Sequence, residues 1–298
     1  MTGLWNLIRR NCKLFFKDKG MFFPSLITPV ILLVLYGTFL AKVYRESFIS
    51  SLPLGFSADK SIINAIVGGQ LTSSLLAVSC VTVAFCSNLI MVTDRANNTI
   101  HDIKVTPVKR SALAIGYFVS SSFTTLIITF TALSVCFIYL LKTGWYLSGF
   151  DVFCMILDVV LVTLFGVSLS SCINYFLTTQ GQVSAFGTIV SSGYGFLCGA
   201  YMPISTFPEG LQKILSFLPG TYGTSLLRNH AMRGAYAQMA KSGFPADVIE
   251  KIKDSIDCNL YWFGNKISIS VMYAIISVSV VVLVGIYVLM NISHKNSN

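Results

Sequence analysis

Five long stretches of the chain contain no Asp, Glu, Lys or Arg, and this pattern restricts the possible folds more than any other feature. An apolar run of about 20 residues is enough for a helix to cross the hydrocarbon core of a bilayer. The fourth stretch is long enough for two crossings with a turn between them. Charged residues are only 11% of the 298, and soluble domains have roughly 25%. The sequence therefore predicts a single all-α integral membrane domain over residues 1–298 with six transmembrane helices. The uncharged stretches are 20–41, 61–93, 111–141, 159–208 and 267–293.

The first stretch follows a basic N-terminus, which leaves a secretory signal peptide as an alternative. Such a peptide has an apolar core of about 7–15 residues and a small-residue cleavage site. The run here is longer, and no A-x-A-like site follows it. We therefore expect a retained transmembrane helix that Pro24 and Pro29 bend.

Lys and Arg residues predict the orientation of the chain. With a cytoplasmic N-terminus, the cytoplasmic side holds ten of them and the two short opposite loops hold four. Cytoplasmic loops carry the excess of positive charge in membrane proteins. We expect a multi-pass plasma-membrane protein with both termini and residues 94–110 in the cytoplasm. The net charge of +9 then follows from topology, and no nucleic-acid partner is predicted.

Residues 3–19 precede the first span and alternate apolar and basic side chains. Leu4, Ile8 and Phe15 belong to an apolar set at helical spacing, with cations between its members. This spacing predicts an amphipathic helix that lies in the lipid headgroup plane. A basic tail that only flanks the span is the alternative.

Two of the predicted spans carry faces of small and hydroxylic residues. Such faces allow close approach of neighbouring helices in lipid, either within one bundle or at a subunit interface. In span two the face comprises Gly69, Ser73, Ala77, Cys80, Ala84 and Ser87. In span five, about residues 184–200, it comprises Gly187, Ser191, Gly195 and Gly199, with Ser184, Thr188 and Ser192 on an adjacent face.

Asp158 is the one carboxylate inside a predicted span. An ionisable residue at such a position is a functional hypothesis by default. Asp158 lies near the outer end of its helix, so hydration from the outer interface is the alternative.

Prolines divide the segment before the last span into short pieces. Pro203, Pro208 and Pro219 interrupt it, and Leu211 and Leu215 belong to an apolar set at helical spacing. We expect a short amphipathic helix at the outer membrane edge within residues 202–229. A polar external segment, residues 230–265, follows it.

Cysteines do not indicate a disulfide framework. Most of the eight lie in apolar stretches and resemble small buried residues. Cys258 alone falls in the predicted external segment, where it either pairs with its copy in a second subunit or stays a free thiol.

No sequence pattern indicates catalysis or nucleotide hydrolysis. The chain lacks G-x-x-x-x-G-K-[ST], H-E-x-x-H and G-x-S-x-G. His101, His230 and His294 all lie outside the predicted spans. We predict that the chain is not an enzyme and binds no metal or cofactor, and that energy reaches it from another polypeptide.

Two motifs in the correct order resemble those of a known family. Residues 94–110 read DRANNTIHDIKVTPVKR, and residues 202–228 contain MP…FP…L…LPGTY…LLR. With the basic N-terminal arm and the order of spans, the chain resembles the permease subunit of ABC-2-type exporters, a family of bacterial drug, antibiotic and lipid-like export permeases. Asn97-Asn98-Thr99 departs from the acidic residue and Gly-Thr that many members carry.

The resemblance implies a complex of two permease subunits, identical or different, with two separate ATPase subunits that bind ATP and Mg²⁺. Residues 3–19 would be the connecting helix, and residues 94–105 the coupling helix that contacts the ATPase. In that helix Asn98 or Thr99 would be the N-cap, and Ile100, Ile103 and Lys104 would face the partner. The residues implied in coupling are Asp94, Arg95, Thr99, Ile100, Ile103 and Pro107.

Spans two and five would line a substrate path between the two permease subunits. An amphiphilic drug-, lipid- or peptide-like molecule would be exported along it by alternating access. The implied path residues are Ser73, Ser79, Thr82, Ser184, Thr188, Ser191 and Ser192. The implied external re-entrant helices contain Pro203, Pro208, Pro219 and Arg228. An ion-coupled carrier or channel that uses Asp158 is the alternative function, and a membrane enzyme or scaffold is a third.

Overall fold

A computed structural model describes residues 2–51, 59–100, 103, 109–262 and 264–293. These residues are almost entirely helical, and a two-stranded hairpin lies near the last helix. The helices are α1 Thr2–Lys17, α2 Lys19–Leu35, α3 Ala41–Ser51, α4 Lys60–Ser87, α5 Leu89–Ala96, α6 Arg110–Thr143, α7 Gly149–Asn174, α8 Gln180–Leu197, α9 Glu209–Leu215, α10 Pro219–Lys241, α11 Ala246–Ser255 and α12 Ile269–Ser293. A π-helical turn, Tyr36–Leu40, joins α2 to α3, and a 3₁₀ turn, Ile204–Thr206, precedes α9.

Among the described residues, five helical segments are long and apolar enough to cross a membrane. They are Lys19–Glu46, Lys60–Ala96, Ser111–Thr143, Gly149–Asn174 and Ile269–Ser293. They confirm the all-α membrane character that the uncharged stretches predict. The expected fifth span is α8, which has 18 residues and reaches about 27 Å at 1.5 Å per residue. Gln, Ser and Gly lower its hydropathy, and it is not among the five, so the count of six spans stays a prediction.

α4 is the centre of the bundle, because nearly all its residues are buried. Its small residues are used for packing inside this chain. A Cβ at Gly69 would lie 3.0 Å from the Ala231 carbonyl of α10, and one at Gly166 of α7 would lie 2.9 Å from the Cys80 carbonyl. Ordinary bundle packing therefore explains the small face of α4.

α8 differs from α4, because much of its surface is exposed within this chain. Nothing lies within 4 Å of a Cβ built at Gly187 or at Gly193. Ser184, Thr188 and Ser192 are exposed. The small face of α8 is thus open to a neighbour or to a ligand around Gly187, whereas Tyr201 covers it at Gly195, where a Cβ would lie 2.4 Å from the Tyr201 ring.

α10 corrects the prediction for the segment before the last span. Residues 202–229 and 230–265 are expected outside the bundle, yet one buried helix, Pro219–Lys241, crosses their boundary and packs against α4, α7 and α12. Gly234 also lets α10 approach the loop between α6 and α7, since a Cβ there would lie 1.8 Å from the Tyr146 carbonyl. Only α9 is the expected short helix, with Leu215 buried and Ile214 exposed.

The three prolines of this segment lie at element boundaries, as expected. Pro203 precedes the 3₁₀ turn, Pro208 precedes α9, and Pro219 is the first residue of α10. Proline is favoured at a helix start because the first N–H groups have no intrahelical acceptor.

Cys258 follows α11 and lies inside the fold. It is a free, buried cysteine whose sulfur lies 3.7 Å from the Tyr236 hydroxyl oxygen. Burial raises the pKa of its thiol to about 11. The interpretation of Cys258 as an exposed cysteine that pairs between subunits therefore does not fit this conformation.

α1 lies against α6 as an amphipathic helix. Leu7 and Phe15 are buried, and Leu7 is the side chain nearest to a Cβ built at Gly116 of α6. Trp5 is exposed on another face. Asp18 ends α1 and caps α2, because its side chain accepts a hydrogen bond of 2.7 Å from the Gly20 N–H.

Candidate functional site

Asp94 is a buried carboxylate at the centre of a cluster that joins three helices. Both terminal guanidinium nitrogens of Arg10, Nη1 and Nη2, donate to its carboxylate, at 2.6 and 2.8 Å, and the Tyr117 hydroxyl donates at 2.6 Å. The hydrogen bond with Asp94 raises the pKa of Arg10. We call Arg10, Asp94 and Tyr117 the Asp94 cluster. It fixes α5 to α1 and α6, and Asp94 is only 5% exposed.

Arg95, unlike Asp94, contacts the C-terminal end of α7. Its guanidinium donates to the Tyr175 carbonyl and, at 3.2 Å, to the Leu177 carbonyl. It also lies over the Tyr175 ring, 5.3 Å from the centroid. A cation at a helix C-terminus bonds carbonyls that lack intrahelical partners. Asp94 and Arg95, both predicted to act in coupling, therefore hold their segment to this chain.

The sequence prediction does not identify Asn88, which lies between α4 and α5. Its amide donates to Ser170, to the Ser171 hydroxyl at 3.1 Å and to the Val167 carbonyl at 3.3 Å, and it accepts from Ser121 at 2.8 Å. Asn88 thus joins α4 to α6 and α7. An amide inside an uncharged stretch is the signal that identifies such a residue.

The chain changes direction after α5, at residues 97–98. Asn98 has φ of +59°, the left-handed conformation that ends helices. The helix resumes at Thr99. Ile100 is buried and Ile103 packs against the apolar cluster that contains Leu113. These two side chains are expected to face a partner, but they lie against this chain. Pro107 and Lys104 fall outside the described residues.

A groove of about 880 Å³ lies between α2, α4 and α8. Ligand pockets in proteins span about 300–1,000 Å³. Five of the predicted path residues line it: Thr82, Ser184, Thr188, Ser191 and Ser192. Its other described lining residues include Thr28, Ile31, Tyr36, Phe85, Phe196 and Tyr201, and none of its described lining residues is charged.

Ser73 and Ser79 do not reach the groove. Both are fully buried in α4, where the Ser73 hydroxyl donates to the Gln70 carbonyl at 2.9 Å. The structure therefore brings together the α8 part of the predicted path and Thr82, and it places the other two serines inside the bundle.

Asp158 is fully buried and forms a second cluster. His230 Nδ1 lies 2.6 Å from one carboxylate oxygen, and the Tyr273 hydroxyl donates to the other at 2.5 Å. We call these residues the Asp158 cluster, which joins α7, α10 and α12. The sequence prediction places His230 outside the spans, yet the structure buries it among them. Both carboxylate oxygens have protein partners, so hydration from the outer interface is not needed to explain Asp158.

Arg228 of α10 is 1% exposed and joins the end of α8 to the segment after α11. It donates to the Gly199 carbonyl at 2.5 Å and to the Ile256 carbonyl at 2.8 Å, and lies 3.3 Å from Asp257. Asp257 accepts from the Ile204 N–H at 2.5 Å. Burial raises the pKa of Asp257, and Arg228 opposes this shift. Arg228 is thus a buried junction within the segment predicted to be re-entrant.

These features define a multi-pass helical membrane protein whose buried polar residues hold the helices together and whose groove carries hydroxyls. The model of the ABC-2 type transporter family matches residues 2–231. The chain therefore belongs to the ABC-2 type transporter family, and it corresponds to the transport permease rather than to the ATPase. A comparison with curated proteins finds none that matches.

Proposed function

We propose that the chain is the membrane permease subunit of an ATP-driven exporter, and that the groove between α2, α4 and α8 is its substrate path. The supporting observation is that the hydroxyls of α8 and Thr82 meet in one uncharged groove. The occupant is an amphiphilic drug-, lipid- or peptide-like molecule, because apolar walls with hydroxyls match both parts of such a molecule.

The packing of α2 supports alternating access through this groove. Many α2 side chains are exposed, including Phe23, Ile27 and Val34, whereas α4 is buried on all faces. Displacement of α2 or α8 relative to α4 would open the groove at one end and close it at the other. A sixth crossing by α8 and cytoplasmic termini belong to this proposal.

The partner in this proposal is a separate ABC ATPase, present in two copies, which binds ATP and Mg²⁺. A second permease subunit, identical or different, completes the complex. Force on residues 94–110 would reach α6 through Tyr117, α1 through Arg10 and α7 through Arg95. Asp94 and Arg95 then act as positioning residues, and the exposed Asn97 and Asn98 lie between them and the partner.

Purification of the full-length chain from its native membranes in mild detergent tests the partner. We expect an ABC ATPase to co-purify, and ATP to drive uptake of the fluorescent amphiphile Hoechst 33342 into inverted vesicles. Thr188→Trp fills the groove and should abolish uptake without loss of membrane insertion. Ile138→Trp, at an exposed position on α6, is the matched control and should transport normally. Equal uptake by the two variants would exclude the groove as the path.

Uptake driven by an ion gradient without any ATPase, and lost in Asp158→Asn, would instead establish the ion-coupled alternative. The contacts of Asp158 favour a structural role, because partners on two other helices use both of its oxygens.

A further inference from the structure

Tyr36 begins the π-helical turn of the first membrane-length segment and lines the groove. It is 4% exposed, and its hydroxyl has no hydrogen-bond partner among the described residues. A buried polar group without a partner destabilises the fold. The fold therefore holds an unused hydrogen-bonding group beside the groove.

Four other groove hydroxyls are already used within the chain. Thr82 donates to the Val78 carbonyl at 3.0 Å, Thr188 to the Ser184 carbonyl at 2.9 Å, and Ser192 to the Thr188 carbonyl at 2.8 Å. Tyr201 donates to the Ser191 carbonyl at 3.1 Å. These bonds are local and need no ligand, so Tyr36 is distinguished from them by its missing partner.

The π-helical turn begins at Tyr36, between α2 and α3. The Ala41 N–H bonds to the Tyr36 carbonyl, five residues earlier. Single π turns inside α-helices occur frequently at functional sites. The Tyr36 N–H already bonds to the Leu32 carbonyl of α2, so a change of this turn to α-helical bonding would rotate α3 relative to α2. Tyr44 of α3 would then move relative to Tyr36, and the cover over the Tyr36 hydroxyl would change.

We propose that Tyr36 is a substrate-recognition residue whose hydroxyl donates to an oxygen acceptor of an uncharged, chain-like substrate. This inference rests on the proposed function of the groove. A charged group there would lose its hydration without a counter-ion, since none of the described lining residues is charged. A neutral lipid-type molecule that carries an ester carbonyl satisfies the unused donor and places its chain against Ile31, Leu35 and Phe85.

The test compares two probes of equal chain length, methyl hexadecanoate and octadecane. The full-length chain is placed in nanodiscs of fixed phospholipid composition, and the thermal unfolding midpoint is followed as each probe is added. For the native sequence we expect methyl hexadecanoate to raise the midpoint at about one tenth of the octadecane concentration, since one added hydrogen bond is worth about a factor of ten. Tyr36→Phe should bring that ratio to about one.

Tyr36→Phe should leave the midpoint without probe unchanged or higher, because it removes an unpaired buried hydroxyl. Tyr194→Phe is the matched control. It removes another buried hydroxyl without a hydrogen-bond partner, and Tyr194 is not among the groove residues, so it should keep the tenfold ratio. A Tyr36→Phe variant that keeps the ratio overturns the inference, and so does a native chain that responds to neither probe or equally to both.

The outcome of this binding test can be distinguished from the outcome of the transport test of the proposed function. The probe ratio is an equilibrium quantity and needs no ATPase, whereas Hoechst 33342 uptake needs the complete complex. A tenfold ratio that Tyr36→Phe abolishes supports Tyr36 even where ATP drives no uptake. ATP-driven uptake with a ratio of one retains the exporter and excludes Tyr36.

Discussion

The Asp94 and Asp158 clusters contain the same parts and use them differently. In each, a tyrosine hydroxyl and a nitrogen-containing side chain from two other helices contact a buried carboxylate. In the Asp94 cluster this side chain is Arg10, which is always charged and has 34% of its side chain accessible. In the second it is His230, which is buried and charged only when protonated. The comparison separates a joint that borders the solvent from one enclosed in the bundle.

The difference in exposure matches the positions of the two clusters in the fold. The Asp94 cluster holds the segment that in our proposal contacts the ATPase, and a fork of two hydrogen bonds transmits both force and orientation. The Asp158 cluster holds α10 inside the bundle, where loss of one partner leaves another buried polar group without compensation. The following predictions test this division.

Asp158→Ala should give the largest effect. It leaves His230 and Tyr273 buried without their acceptor, and the expected loss is about 3–5 kcal/mol of unfolding free energy. The measurement is the unfolding midpoint in mild detergent, with Asp158→Asn as the control that retains hydrogen-bonding groups and loses less. A midpoint for Asp158→Ala equal to that of the native chain would show that the cluster does not hold α10.

Asp94→Ala should destabilise the fold less, by about 1–3 kcal/mol, because Arg10 can turn to water. It should nonetheless abolish ATP-driven uptake of Hoechst 33342, since the fork that orients the segment is gone. Arg10→Lys retains the charge and loses the fork, so uptake should fall while the unfolding midpoint changes little. Uptake at native rates in both variants would contradict the role of the fork.

The two tyrosines form a matched pair. Tyr273→Phe and Tyr117→Phe each delete one donor to a buried carboxylate, and each should cost about 1 kcal/mol. The loss should be larger for Tyr273→Phe, because Asp94 keeps two Arg10 donors. Unfolding midpoints measured side by side decide the order, and the reverse order would refute the comparison.

Glu250 provides a reference on the exposed surface, with 44% of its side chain accessible and bonds to Lys253 and Lys266. Glu250→Gln should cost below about 1 kcal/mol at neutral pH. The hydrogen bond with Lys253, followed in size by the one with Lys266, lowers the pKa of Glu250 to about 2. The pKa of Glu250 is lower in the folded chain than its ordinary value. The stabilisation by its ion pairs is therefore present at a pH above that ordinary pKa and is lost as the pH falls towards 2. Midpoints at pH 7 and pH 3 should therefore show a smaller difference between variant and native chain at pH 3.

The sequence predicts features that depend on local composition. The uncharged stretches locate the membrane-length helices, and prolines mark the starts of the 3₁₀ turn, α9 and α10. The hydroxyl spacing of α8 identifies one wall of the groove. Each of these follows from neighbours within a few turns.

Features that depend on distant partners are not predictable in this way. His230 is polar and lies 72 residues from Asp158, so composition places it in water and only tertiary structure shows its partner. Helical spacing shows that Ile100 and Ile103 share an apolar face, but it does not show what covers that face. By spacing alone, Ser73 and Ser79 cannot be distinguished from residues that line the groove. Only the structure shows that α4 is buried on all sides and that both serines lie inside the bundle.

The polar character of α10 also determines the order in which the protein is assembled. A charged residue in a helix costs about 2.5–3.5 kcal/mol on insertion at the bilayer centre, so a helix with Arg228 and Arg233 is a poor substrate for the insertion machinery. Asp158 is synthesised before α10, but Tyr273 belongs to the last helix. α10 therefore completes its contacts only after α12 has been translated. A ribosome that stalls before α12 would leave a nascent chain in which Asp158 lacks the hydrogen bond from the Tyr273 hydroxyl.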